Sequence, residues 1–321
     1  MKIGIMGTGG IGGYFGGLLA RAGLDTHFLA RGKHLRAIVE DGLQIVSNQK
    51  SFRVMIHATA EPDEIGPVDL LLFCVKSYDT LEAASLIEPM VEAETMILSL
   101  QNGIDNIDKL VDMYGEDRVL AGTTFIQSYI GSPGVVVHVG KAGRLVFGEL
   151  SGVRTKRVAK VLEAFQRANI EAEASADILK ALWSKFLFIC GIHGVGTLSR
   201  SPLGLVMSCP ETRELVTGVM KEVEALARKR GIDLPNGSVV EAMAMADAYD
   251  RDFKCSMLRD LEWHRPMEID ALNGMVVKMS RDAGLDAPFN QTIYSCLKLE
   301  NEKIMNPFWA SGHLDGVVED R

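Results

Sequence analysis

Residues 1–20 read MKIGIMGTGGIGGYFGGLLA. One lysine followed by a greasy run has the outline of a secretory leader. The run is too rich in glycine for that, however, and its pattern is strand, turn, helix. Lys2–Met6 is a short buried strand and Ile11–Gly23 is a helix. Between them, Gly7-Thr8-Gly9-Gly10-Ile11-Gly12 is G-x-G-x-x-G. Alone the hexamer is a weak signal, because glycine-rich runs recur by chance. Between a strand and a helix each glycine acquires a task. The first permits the tight turn, the second lets the backbone approach a pyrophosphate, and the third lets helix and strand pack closely. The free N–H groups at the helix start then face the phosphates.

Working outward, Asp25–Ala30 is a second strand. Val68–Val75 (VDLLLFCV) is a continuous apolar run of strand length, as expected of a parallel strand buried on both faces. Glu94–Leu100, Val119–Thr124 and Gly143–Gly148 follow as strands, and Val153–Gln166 as a helix. Strands alternating with helices predict right-handed βαβ units in a doubly wound α/β sheet of Rossmann type. After about residue 175 the strands stop. Asp177–Ile192, Pro210–Gly231, Pro235–Tyr249 and Pro266–Gly284 read as helices, the last with proline in its first turn and glycine at its end. The expected organisation is a dinucleotide-binding domain over 1–174 and an all-helical substrate and catalytic domain over 175–321.

The 321 residues carry a formal charge of -8, from 34 basic and 42 acidic residues. Nucleic-acid binding usually needs a concentrated basic face, so it is not expected. Five cysteines, odd in number and without C-x-x-C, suit reduced thiols in a cytoplasmic protein. No apolar run approaches the roughly 18–20 residues that span a bilayer. No metal-ligating pattern stands out. Apolar helices in the second half leave a homodimer open.

Polar residues cluster where strands end. Arg31 stands about 20 residues after the glycine motif, where an NAD-binding chain carries Asp or Glu for the ribose hydroxyls. A guanidinium there pairs instead with a 2′-phosphate, so NADPH is the expected cofactor. Lys33 and Arg36 lie nearby. VDLLLFCV runs into Lys76, and MILSL runs into Gln101-Asn102-Gly103. Ligands of open α/β sheets sit beyond the carboxyl ends of strands, so Gly7, Arg31, Lys76 and Asn102 would line one edge.

In the second half, WSKFLFICGIHGVGTL (183–198) is almost wholly apolar yet carries Lys185. Reducing a ketone creates an alkoxide that needs a proton as it forms, and a positioned ammonium can supply it. The plainer reading is a lysine whose stem lies along an apolar face with its charge in water. Glu268 could keep Lys185 charged. From position alone the stronger reading is a first-turn carboxylate favoured by a helix dipole.

Taken together, GTGGIG, LARG, CVKSYDT, LQNG, LWSK, SMLRD and RPMEIDALNG resemble the ketopantoate reductase (2-dehydropantoate 2-reductase) family, over nearly the whole chain. The resemblance implies NADPH-dependent reduction of the 2-oxo acid 2-dehydropantoate to pantoate, on the way to pantothenate and coenzyme A. It implies an N-terminal Rossmann domain, a helical second domain and an active site in their cleft. It assigns Lys185 as general acid and Glu268 as a substrate hydrogen-bond partner. Lys76 and Asn102 would contact cofactor and organise the site, Ser256 would hold the substrate carboxylate, and Arg31 would read the 2′-phosphate. Four and eight positions after the lysine the family pattern has asparagines that grip substrate. Here those substrate-site positions are Ile189 and His193, and Phe253 also stands where a polar contact is expected. The chemistry therefore reads more firmly than the substrate. A bulkier or less polar 2-oxo acid stays open, as does a non-catalytic NADP-binding sensor.

Overall fold

A computed structural model describes residues 1–306. The chain divides into two compact units, Met1–Leu182 and Trp183–Arg321. The sequence reading put a boundary near Ser175. The division falls later because Ile178 and Leu182, though on the long helix that follows, pack into a core cluster of the first unit. Residues 307–321 of the expected second domain lie outside the described residues.

The strands of the first unit are β1 (Ile3–Met6), β2 (Thr26–Leu29), β3 (Leu43–Ser47), β4 (Phe52–Val54), β5 (His57–Thr59), β6 (Leu70–Phe73), β7 (Met96–Ser99), β8 (Val119–Ser132), β9 (Val135–Gly148) and β10 (Glu171–Ala174). Its helices are α1 (Gly10–Arg21), α2 (Gly32–Asp41), α3 (Pro62–Ile65), α4 (Thr80–Leu86), α5 (Asn106–Tyr114) and α6 (Lys156–Arg167). One sheet holds the strands in the order β4-β3-β9-β8-β7-β6-β1-β2-β5, with β10 beside β9.

β1 lies between β2 and β6, parallel to both, with Met6 opposite Leu29 and Phe73. The chain leaves β1 toward β2 on one side and later fills β6 on the other. That reversal of strand order is where a doubly wound sheet opens a crevice at its carboxyl edge. β1, β6 and β7 are buried at every position, which explains their unbroken apolar sequences.

β3, β4, β5, β10 and the helices α2 to α5 lie beyond the sequence reading, and so does the way the outer strands join. Val119–Thr124 and Gly143–Gly148 are the outer ends of one long antiparallel hairpin, β8–β9, with register shifts between Phe125 and Gln127 and between Ile130 and Ser132. β9 also serves two further parallel neighbours, β3 along Val135–His138 and β10 along Arg144–Phe147.

The second unit holds α7 (Ile178–Leu198, begun in the first unit), α8 (Leu203–Ser208), α9 (Pro210–Lys229), α10 (Ser238–Asp247), α11 (Ser256–Glu262), α12 (Asn273–Asp282) and α13 (Pro288–Met305). By length and composition α7 could cross a membrane, contrary to the expectation that no apolar stretch approaches that size. Most of it is buried within the protein, as in the core helix of a folded domain. Small residues let neighbours approach it. A methyl at Gly191 would meet Met220 Cε at 2.8 Å, and one at Gly194 would meet Asn273 Nδ2 at 2.9 Å. The expected helix over Pro266–Gly284 begins only at Asn273. The segment before it folds as turns, with Leu272 N–H donating to Glu268 O and Gly274 N–H to Ile269 O.

Candidate active site

The predicted functional residues fall into two groups, one in each unit. In the first unit Gly7 follows β1 with φ +92°, a conformation that L side chains rarely adopt. A methyl on Gly12 would stand 2.3 Å from Gly7 O and 2.9 Å from Ile5 Cγ2, so the third glycine lets α1 lie against β1. Gly9 differs. It caps α1 with φ −84°, and a methyl there would meet no atom within 4 Å. Neither strain nor crowding inside the protein calls for glycine at this position. Open space at the head of a helix is what a close-lying pyrophosphate would fill, so the residues present fit a bound dinucleotide. Thr8 lies in the turn, but its hydroxyl is buried and donates to Leu29 O at 2.8 Å. Gly10 and Ile11 form the first turn of α1.

Arg31 caps α2 just beyond β2. Its side chain is 83% exposed, and its guanidinium reaches Asp79 Oδ2 only at 3.4 Å. A pair so exposed holds the side chain loosely and leaves its fork open to an anion. Lys76 opens the short turn after β6, and Asn102 follows β7.

A buried polar cluster, absent from the sequence reading, fixes both of these loops. Asn106 Nδ2 donates to Asn102 O at 2.7 Å and to Ser77 Oγ at 3.3 Å. Ser77 Oγ donates to Asn102 O at 2.8 Å. Gln101 Nε2 donates to Thr80 Oγ1 at 2.7 Å and to Val75 O at 3.2 Å. In the sequence these are simply polar residues beside buried strands, and nothing in their spacing names the partners.

In the second unit Lys185 lies half-buried on α7. Burial lowers its ammonium from the usual 10.5 to about 8, and the Glu268 carboxylate opposes that fall. Lysine and glutamate, well separated in sequence, are therefore electrostatically coupled. Glu268 is buried on the turn segment before α12, not in a first helical turn, so the helix-dipole reading does not apply. α13 holds that segment. Met267 N–H donates to Asn301 Oδ1 at 2.7 Å, and Asp270 accepts from Tyr294 Oη and Lys298 Nζ, each at 2.9 Å.

Ile189 and His193, one and two turns beyond Lys185, are both buried. Ser256 opens α11. Phe253 joins a ladder of rings, 4.9 Å between centroids from Tyr249, which lies 5.6 Å from Phe188 on α7. That ladder connects the lysine helix to the chain just before Ser256.

A Rossmann-type dinucleotide-binding unit followed by a helical unit that carries a half-buried lysine of lowered pKa is the organisation of a nicotinamide-linked oxidoreductase. The profile of ketopantoate reductase PanE/ApbA matches residues 3–152, and that of the PanE/ApbA C-terminal region matches 177–301. The uncharacterized oxidoreductase YkpB of Bacillus subtilis (strain 168) is 30% identical, covering 94% of this chain and 100% of its own. The 2-dehydropantoate 2-reductase of Pyrococcus abyssi (strain GE5 / Orsay) is 33% identical over 93% of this chain and 97% of its own. The crystal structure of a PanE/ApbA family ketopantoate reductase from Ralstonia eutropha JMP134 aligns with TM-score 0.88 at 31% identity, over 95% of this chain and all of that one. The chain belongs to the ketopantoate reductase family.

Proposed function

We propose that the protein reduces 2-dehydropantoate to pantoate with NADPH, in pantothenate and coenzyme A biosynthesis. The observation that carries this reading is Lys185, an ammonium that burial has brought to about 8 and that a buried carboxylate keeps from falling further. Such a group is still mostly charged near neutral pH, yet gives up its proton far more readily than a surface lysine. The open space at Gly9 and the exposed Arg31 support NADPH as partner. The α1 N-terminus would take the pyrophosphate, and Arg31 the 2′-phosphate.

When bound, the nicotinamide supplies the hydride that reduces the ketone carbon. Lys185 Nζ donates a hydrogen bond to the ketone oxygen and transfers its proton as that oxygen becomes an alkoxide. The product is an alcohol, and the neutral amine is recharged from solvent. Glu268 orients the substrate hydroxyl and favours the charged lysine, while Ser256 holds the carboxylate. Lys76 and Asn102, fixed by the buried cluster behind them, order the cofactor side.

Lys185→Ala tests the assignment. Turnover should fall by a factor on the order of 10² to 10⁴, the usual worth of a general acid. NADPH binding, followed by fluorescence titration, should persist. Near-normal turnover in this variant would remove the mechanism.

A second reading keeps the reaction and changes the substrate. Buried Ile189 can donate no hydrogen bond, and Phe253, three residues before Ser256 in sequence, is an aromatic ring packed on Tyr249. Both favour a 2-oxo acid with an apolar side chain. A keto-acid panel assayed by loss of NADPH absorbance decides between them. Higher kcat/KM for 2-dehydropantoate than for apolar analogues rejects this second reading.

A further inference from the structure

Beside the glycine-rich turn, outside the groups assigned above, His34 lies in the first helical turn of α2. Both of its ring nitrogens have partners. Nε2 is 2.8 Å from Thr8 O, and Nδ1 is 3.0 Å from the backbone nitrogen of Gly134. A carbonyl can only accept and a backbone N–H can only donate. Nε2 therefore carries the proton and Nδ1 does not. Burial also pushes the pKa of this imidazole down, in keeping with a neutral ring.

The two partners come from distant parts of the chain. Thr8 is the second residue of the turn, and Gly134 sits at the tip of the β8–β9 hairpin with φ +75°. The hairpin also presses directly on the start of α1, just after the turn. A methyl at Gly10 would lie 2.3 Å from Ser128 O, and one at Gly13 would lie 2.7 Å from Val136 Cγ2. From the other side, Thr8 N–H and Oγ1 both donate to Leu29 O, at 3.3 and 2.8 Å. Thr8 is thus held by β2, by α2 and, through the imidazole, by the hairpin.

The Thr8 carbonyl and the Gly9 N–H belong to one planar trans peptide, so they point in opposite directions. Holding the first aims the second. We propose that His34 is a positioning residue for the dinucleotide: by fixing the Thr8 carbonyl it orients the Gly9 N–H at the head of α1, where the pyrophosphate binds. This rests on the reading that the first unit binds NADPH.

The test compares wild type, His34→Leu and His34→Gln by calorimetric titration with NADPH and with 2′-AMP, which lacks the pyrophosphate. Leucine fills the space without polar atoms, while the longer amide of glutamine can still donate to Thr8 O. In His34→Leu the Kd for NADPH should rise about tenfold, or about 1.4 kcal/mol. Its Kd for 2′-AMP should stay within about twofold, well under 1 kcal/mol. His34→Gln should restore most of the NADPH affinity. If the leucine variant does not fold, His34→Asn replaces it, because its short amide can serve Gly134 but cannot reach Thr8. Equal NADPH affinity in all variants overturns the proposal. So does a parallel loss of NADPH and 2′-AMP, or a glutamine variant no better than leucine. A wild type that binds NADPH but reduces no 2-oxo acid sinks the functional reading and leaves this one standing. Binding of neither probe by wild type overturns both.

Discussion

Replacing Glu268 with glutamine should move the alkaline limb of the reduction to lower pH. The general acid works only while protonated. With Lys185 at about 8, kcat/KM should be level near neutrality and fall as pH rises through about 8. The descent from 10.5 to about 8 represents about 3 kcal/mol withheld from the ammonium, at about 1.4 kcal/mol per factor of ten. Burial sets the direction, and Glu268 limits the extent. A close carboxylate typically changes a neighbour's pKa by about 1 to 3. Glu268→Gln removes that charge and nearly preserves shape, so the limb should drop to about 7 or below, counting about 1 or more for the lost carboxylate. The assay is initial NADPH oxidation at low keto-acid concentration over pH 6 to 10 (roughly the span in which a perturbed lysine titrates). kcat/KM is the right quantity because it reports the free enzyme's groups. A limb unmoved in the variant would refute the coupling. A wild-type profile flat to the pKa of an ordinary lysine would refute the lowered pKa of Lys185.

Arg31→Ala should weaken NADPH by about tenfold or more, the scale of a lost charged hydrogen bond, and leave NADH unchanged. Equal effects on the two nucleotides in binding titrations would dismiss Arg31 as the 2′-phosphate reader. Two neighbouring glycines should behave oppositely. Gly9→Ala meets no atom within 4 Å and should keep its melting temperature while losing NADPH affinity, whereas Gly10→Ala meets Ser128 O at 2.3 Å and should lose stability outright. Asn106→Leu removes buried hydrogen bonds to Asn102 O and Ser77 Oγ and from Thr80 Oγ1, which should cost about 1 to 3 kcal/mol in urea unfolding.

The architecture was legible wherever periodicity and burial coincide. β1, β6 and β7 are apolar throughout because both faces are covered, and Gly7 and Gly12 meet the steric demands that their spacing implies. The middle of the β8–β9 hairpin escaped notice because it is only partly buried and its composition alternates weakly. α11 and α8 are too short for a helical period to register. α13 is long, but its polar and apolar residues are mixed and its start at Pro288 reads as a turn. The Pro266 start of a helix was misplaced because proline followed by an acidic residue suits a first turn. In this chain the same residues form the turn that brings Glu268 into the influence of Lys185. Lys185 stood out because charge is rare in an apolar run. Asn301, which anchors that turn from another helix, offered no such contrast.

β9 has a consequence for how the chain must be made. Its far half, Arg144–Phe147, is completed by Glu171–Ala174, synthesised later, while its near half, Val135–His138, must reach back to Gln44–Ser47, synthesised long before. Closure over such separations slows folding, and until it is finished the ribbon carries unsatisfied backbone groups along a naked border. A nascent or clipped polypeptide ending before Glu171 would display that border to its neighbours, making it the place from which aggregation of incomplete chains should start.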